Sequence, residues 1–187
     1  MAFWSNNTSE AKRNYRFKVT MNPFGTGAQS AAGNVVWWAK TVTLPSVDVS
    51  EIEHNHMDNK YYFPGRVSWS EVSLTMVDPI DPDATDLLND MLVRSGYKVP
   101  GSREAAIDKA TVSKNKATGL GDIQIEVLDA EGAPVETWKL QNAFIKAAKF
   151  GDLDYSSDEL KTVELTLRYD WATCTTKSGG AERFKPV

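Results

Sequence analysis

The chain has 187 residues, 41% hydrophobic and 25% charged, enough for one substantial core, so a single domain over 1–187 is expected. Asp and Glu outnumber Lys and Arg by 25 to 21, giving a net charge of -4 and a pI near 5.3. That balance excludes a groove gripping nucleic acid through many phosphates, though not a surface past which DNA slides.

The single Cys174 excludes an internal disulfide and a multi-cysteine metal site. No apolar run approaches the roughly 20 residues that span a bilayer, and the opening MAFWSNNTSEAKRNYRF lacks the basic-then-apolar order of a signal peptide. A soluble protein that stays in the cytoplasm where it is made, without membrane insertion, is the expectation.

In chain order, NYRFKVTM alternates, with Tyr15, Phe17, Val19 and Met21 on one face of a strand. The glycines of NPFGTGAQSAAGN (22–34) are followed by no Lys-Ser or Lys-Thr pair, so they predict a flexible connection rather than a phosphate loop. VVWWAKTVTLP is apolar without alternation before Ala39, the pattern of a strand covered on both sides, and Pro45 ends it.

His54, His56 and Asp58 share one face if their segment is extended. Two imidazoles and a carboxylate suit zinc or iron, but no further histidine or cysteine closes the set, so a solvated strand and no metal are expected. Phe63-Pro64-Gly65-Arg66 has the form of a type II turn, proline second and glycine third. It would make a hairpin with Tyr61 and Phe63 on one side and Tyr62 on the other. All three cannot easily face inward, and exposed aromatics mark a partner.

In RVSWSEVSLTMV the apolar phase slips by one near Ser70-Glu71, which predicts a bulge or a strand passing from one sheet to another. A helix over about 82–95 follows, capped by Asp81, with Pro82 first, Ala84, Leu87, Leu88, Met91 and Leu92 on its apolar stripe, and a stop at Gly96. Asp78, Asp81, Asp83, Asp86 and Asp90 lack the order and closing Glu of a calcium loop; negative charge at a helix N-terminus accounts for them. The stretch 98–121 is polar and small-residue rich, a long loop.

DIQIEVLD alternates through Ile123, Ile125 and Val127, and DAEGAP (129–134) reads as a hairpin turn into VETWKL. The clearest strand is KTVELTLRYDWA, with Val163, Leu165, Leu167, Tyr169 and Trp171 on one face and Glu164, Arg168 and Asp170 on the other. Seven or eight strands result. The fold class is mainly β (α+β): two packed antiparallel sheets forming a barrel or sandwich with one flanking helix.

Cys174 has no base to pair with and no serine occupies a nucleophile elbow, so neither catalysis nor a cofactor is expected. A carbohydrate- or receptor-binding module using the six tryptophans as stacking platforms is the reading from another class, although Trp69, Trp138 and Trp171 fall at strand positions that favour the core.

VVWWAKTVTLPSVDVSEIEH, NKYYFPGRVSWSEVSLTMVDP, WKLQNAFIKAAKFGDLDYSSDEL and VELTLRYDWA, in this order, resemble the tail tube proteins of contractile-tailed, myovirus-type bacteriophages. That family is similar in fold to the haemolysin-coregulated protein of type VI secretion. The resemblance implies hexameric rings stacked into a hollow tube that conducts DNA during ejection, or a tube-initiating baseplate protein of the same fold. It implies, as partners, further copies of the chain, the tail sheath, the baseplate and the tail terminator. The place implied is the virion tail, after assembly in the host cytoplasm. Mapped onto this sequence, Tyr61, Tyr62, Phe63, Pro64, Gly65 and Arg66 become candidates for contact between subunits and the 98–121 loop for contact between rings. Glu164 and Asp170 become candidates for the lumen, although Lys161 and Arg168 share their segment.

Overall fold

The computed structural model describes residues 11–22, 39–80, 83–94, 97, 122–156, 158–177, 179–180 and 182–184. The expected connection after residue 22, Asp81, Pro82, Gly96, the 98–121 loop, Trp4, Trp37 and Trp38 lie outside them.

Among the described residues the alternating segments form ten strands and one helix. Strands β1 (Phe17–Asn22), β6 (Asp122–Leu128), β7 (Pro134–Gln141) and β10 (Trp171–Thr176) make one antiparallel sheet in the order β1-β6-β7-β10. Strands β2 (Ala39–Val42), β5 (Val72–Val77), β9 (Thr162–Arg168) and β8 (Phe144–Lys149) make a second in the order β2-β5-β9-β8. Among the described residues, strands β3 (Val47–His56) and β4 (Asn59–Trp69) pair only with each other. The helix α1 is Ala84–Arg94.

Register places the apolar phases of the two four-stranded sheets face to face. In the second sheet Val72, Leu74 and Met76 stand opposite Leu167, Leu165 and Val163, all buried. In the first, Val19 and Met21 meet Ile125 and Ile123, which meet Trp138 and Leu140. Leu88 and Met91 of α1 join the same core. The sheets pack as an open sandwich rather than closing into a barrel; among the described residues the edge strands are β1 and β10, β2 and β8, and the β10 edge is bridged at Cys174 by Arg183.

The helix begins two residues later than the capping pattern suggests. The Asp86 N–H donates to Asp83 Oδ1 at 3.1 Å, so Asp83 acts as the cap, and the Thr85 N–H donates to Asp78 Oδ1 at 3.3 Å. Acidic side chains at a helix N-terminus are thus what this part of the run provides.

Three local readings change. The long final strand is two: β9 ends at Arg168, the Asp170 N–H donates to Gln141 O at 3.1 Å, and β10 starts at Trp171 in the other sheet. The buried phase changes at the corner: Val163, Leu165, Leu167 and Tyr169 are buried up to it, whereas in β10 Ala172 and Cys174, opposite Leu140 and Trp138, are buried, and Trp171, expected on the apolar face of the same strand, is only partly covered. Strand β2 is an edge with Lys40 and Thr41 exposed, so the apolar run before Ala39 does not continue as a doubly covered strand. Strand β8 adds to the expected count; a register shift between Ile145 and Ala147 breaks its alternation and hides it from pattern reading.

Two expectations hold in detail. The slip at Ser70-Glu71 is where the chain leaves β4 and enters β5 of a different sheet. Residues 129–134 turn β6 into β7, with Asp129 Oδ1 accepting the Glu131 and Ala133 N–H groups at 3.0 and 2.8 Å and Gly132 at φ +83.

Candidate functional site

The β3–β4 ribbon is the feature the core does not explain. Every residue of β3 is exposed, and in β4 only Gly65 and Trp69 are partly covered. A two-stranded ribbon about 35 Å long, open along both edges, is marginal in water without a third strand or a packed face.

Phe63-Pro64-Gly65-Arg66 is not the turn of this hairpin; it lies inside β4. The chain reverses at Met57-Asp58, with Met57 at φ 54. What Pro64-Gly65 supplies is a β-bulge. The register shifts between Val49 and Glu51, so that Val49 faces Val67 while Glu51 faces Pro64. The Arg66 N–H donates to Ser50 Oγ at 2.8 Å across the irregularity. Proline, which lacks a ladder donor, and glycine, which admits a close approach, suit such a position on an open edge.

The bulge exchanges the two faces. Near the base, Val47, Val49, Val67 and Trp69 share one face. Beyond the bulge that face becomes polar, with Glu51, Glu53, Tyr62 and Lys60, and Lys60 pairs with Glu53 at 2.9 Å. The opposite face becomes apolar there, where Ile52 meets Phe63 and His54 meets Tyr61. Tyr61, Tyr62 and Phe63 are all about half exposed, at 49%, 57% and 55%, so none folds back into the core. The six residues expected as a contact site therefore form one continuous piece of strand, and the sequence signal for its shape was the parity change from Val49 to Ile52.

The ribbon's root is fixed. Trp69 packs on Tyr169 and edge-on to Phe184, with centroids 6.0 and 5.5 Å apart. The Ser70 hydroxyl donates to Asp48 Oδ2 at 2.9 Å.

Glu164 and Asp170 are not brought together. Glu164 sits on the exposed face of β9, its carboxylate 3.3 Å from Lys149 Nζ. Asp170 lies at the corner between the sheets and accepts a hydrogen bond from Asn142 Nδ2 at 2.9 Å. Around Glu164 the face is mostly polar: Thr41, Thr75, Glu164 and Lys149 succeed one another across four strands, with Ser73, Thr166 and Ala147 in the next row.

His54 and His56 stand on the ribbon opposite Tyr61 and Asn59, and among the described residues no three His, Cys, Asp or Glu side chains converge as a metal would need. Cys174 is buried, and burial pushes its thiol pKa up, as does the nearby Glu136 carboxylate, so it is a poor nucleophile. Trp69 and Trp138 pack against the core, and the indole N–H of Trp171 is buried, which removes them as sugar platforms. Among the described residues no helix is long and apolar enough to cross a membrane.

A family model described as T4-like virus tail tube protein gp19 matches residues 13–173. No curated protein matches the chain. Among solved structures, a chain of the anti-feeding prophage tube-terminating cap aligns with 94% of this chain and 99% of its own at 18% identity and TM-score 0.62. A chain of the sheath-tube complex of the PVC extracellular contractile injection system, in its extended state, aligns over 90% and 94% at 19% identity and TM-score 0.60. One from the 6-fold symmetrised anti-feeding prophage baseplate aligns over 90% and 97% at 18% identity and TM-score 0.60. At these identities the likeness establishes the fold.

Proposed function

The chain belongs to the tail tube protein family of T4-like viruses, and from that premise we propose that it closes into hexameric rings which stack as a hollow tube conducting DNA during ejection. A tail tube protein is structural rather than catalytic. The observation that carries the proposal is the β3–β4 ribbon: two strands with open edges and apolar patches on opposite faces, unstable as a solitary element and satisfied by other copies.

In the assembly Tyr61, Tyr62, Phe63, Pro64, Gly65 and Arg66 touch a neighbouring subunit. Glu164 and Asp170 face the lumen, where the Thr- and Ser-rich face of the second sheet, its Glu164 and Lys149 paired with each other, gives passing phosphates little to grip, in keeping with a chain of net charge -4. The sheath, baseplate and tail terminator are the further partners, a reading supported by the assemblies from which the similar chains come. The place of action is the virion tail, after assembly in the host cytoplasm.

Native mass spectrometry and negative-stain microscopy over a concentration series test this. Six-membered rings or hollow filaments are expected. Monomers at every concentration, with or without a tube-initiating template, would remove the tube reading.

A further inference from the structure

Two features of opposite charge remain, at opposite edges of one sheet. At the β2 edge, where the sandwich opens towards β1, lies a cleft of about 400 Å³. Phe17, Ile125 and Val127 form apolar walls, and Arg13, Arg16 and Lys40 stand among its lining residues. Lys12 also lines it and is paired with Glu136, whereas neither Arg13 nor Lys40 has an ion pair among the described residues.

At the β8 edge the connection to β9, residues 150–161 (FGDLDYSSDELK), carries Asp152, Asp154, Asp158 and Glu159. It also holds Leu153, Tyr155 and Leu160 in the open, Tyr155 fully exposed and Leu153 at 84%. Its root is fixed: Gly151 has φ +74, and a Cβ there would stand 2.6 Å from Thr162 O. Apolar side chains left in water and flanked by carboxylates match an apolar cleft rimmed by cations.

We propose that the 150–161 loop of one subunit inserts into the β1–β2 cleft of the next, Leu153 or Tyr155 entering between the sheets while Asp152, Asp154 and Asp158 meet Arg13, Arg16 and Lys40. The occupant is a second copy of this chain because both halves of the contact are present once per chain, on opposite edges of the sheet ordered β2-β5-β9-β8. They cannot satisfy each other within one subunit. A surface and its complement on opposite edges make a head-to-tail contact, and head-to-tail contacts close rings by rotation. The register places both at one level of the sheet: Ala39 faces Met76, Met76 faces Val163, and Lys149 next to the loop faces Glu164. This inference rests on the self-assembly proposed above and specifies which surfaces make its lateral contact.

The test uses two charge-reversed full-length proteins, Arg13→Glu with Lys40→Glu, and Asp152→Lys with Asp154→Lys and Asp158→Lys. All five positions are exposed, so both proteins fold, as circular dichroism checks. Each alone should form rings at least about tenfold less readily than wild type, since like charges then face each other. An equimolar mixture should assemble, because in an alternating ring every cleft meets a loop of opposite sign. If either variant alone assembles like wild type, or if neither alone nor the mixture assembles, the loop-to-cleft pairing is overturned while self-assembly stands. If wild type itself forms no ring or tube, the self-assembly reading fails and this inference fails with it.

Discussion

Ser50 and Gly65 meet across the β3–β4 ribbon so closely that a Cβ added to Gly65 would lie 2.3 Å from Ser50 Oγ and 2.9 Å from Ser50 O. That approach permits the bulge, and the bulge moves the apolar patch from one face of the ribbon to the other. Gly65→Ala should strain the ribbon by about 1–3 kcal/mol. Because β3 is wholly exposed, the thermal midpoint should stay within a few degrees of wild type while ring formation falls. Calorimetry and native mass spectrometry on the same preparation check both parts.

Ile52 and Phe63 should separate assembly from folding. They face each other beyond the bulge at 59% and 55% exposure, so Ile52→Ala and Phe63→Ala should remove little intramolecular packing but, as apolar residues of the proposed contact, should weaken association. Leu165→Ala, at a side chain 1% exposed between the sheets, should instead lose about 2–5 kcal/mol of folding stability. Urea unfolding and sedimentation velocity on the three variants should give opposite rankings.

Asp78 ties the start of the helix to β9. Its Oδ2 accepts Lys161 Nζ at 2.7 Å and Thr85 Oγ1 at 2.8 Å, and its side chain is 7% exposed. Burial alone pushes this carboxyl's pKa up, but the hydrogen bonds from Lys161 and Thr85 outweigh burial and hold it below the ordinary value of 3.8. A depressed folded pKa means that the unfolded chain binds the proton more readily. The stabilisation is therefore complete above the unfolded pKa and lost as pH falls through the folded one. Asp78→Asn should cost about 1–3 kcal/mol near neutrality. Its deficit against wild type should shrink below about pH 4 in urea titrations.

Cys174 should report global unfolding. The residue is 7% exposed and its thiol pKa is raised by burial, so a disulfide reagent should label it only in unfolded chains. Cys174→Ala should leave assembly unchanged, whereas Cys174→Ser buries a hydroxyl and should be the less stable of the two. Labelling kinetics in increasing urea would show this.

The core was legible because period 2 was intact where both partners were regular: Val163, Leu165 and Leu167 announced β9, and Asp129 with Gly132 announced the turn into β7. Legibility failed where a register shift breaks the period. Phe144-Ile145-Lys146-Ala147-Ala148 does not alternate because β8 bulges. Pro64-Gly65 is as suitable for a bulge as for a turn, and which it becomes depends on Met57-Asp58 closing the hairpin earlier. The apolar letters of Tyr169-Asp170-Trp171 alternate, yet the buried phase passes from Tyr169 to Ala172 as the chain changes sheets, because sheet membership is decided by tertiary pairing and not by local pattern. That the aromatic run could not all fold inward was legible, but its two-faced form needed the register.

The most direct test of the central claim, that the β3–β4 ribbon is satisfied by other copies of the chain, is amide hydrogen exchange compared between free subunits and assembled particles. Residues 47–69 should exchange rapidly in the free subunit, and their amides, including the outward-facing edge groups, should become strongly protected on assembly. Rings or tubes in which the ribbon exchanges as fast as in the free subunit would contradict the account and move the contact elsewhere on the molecule.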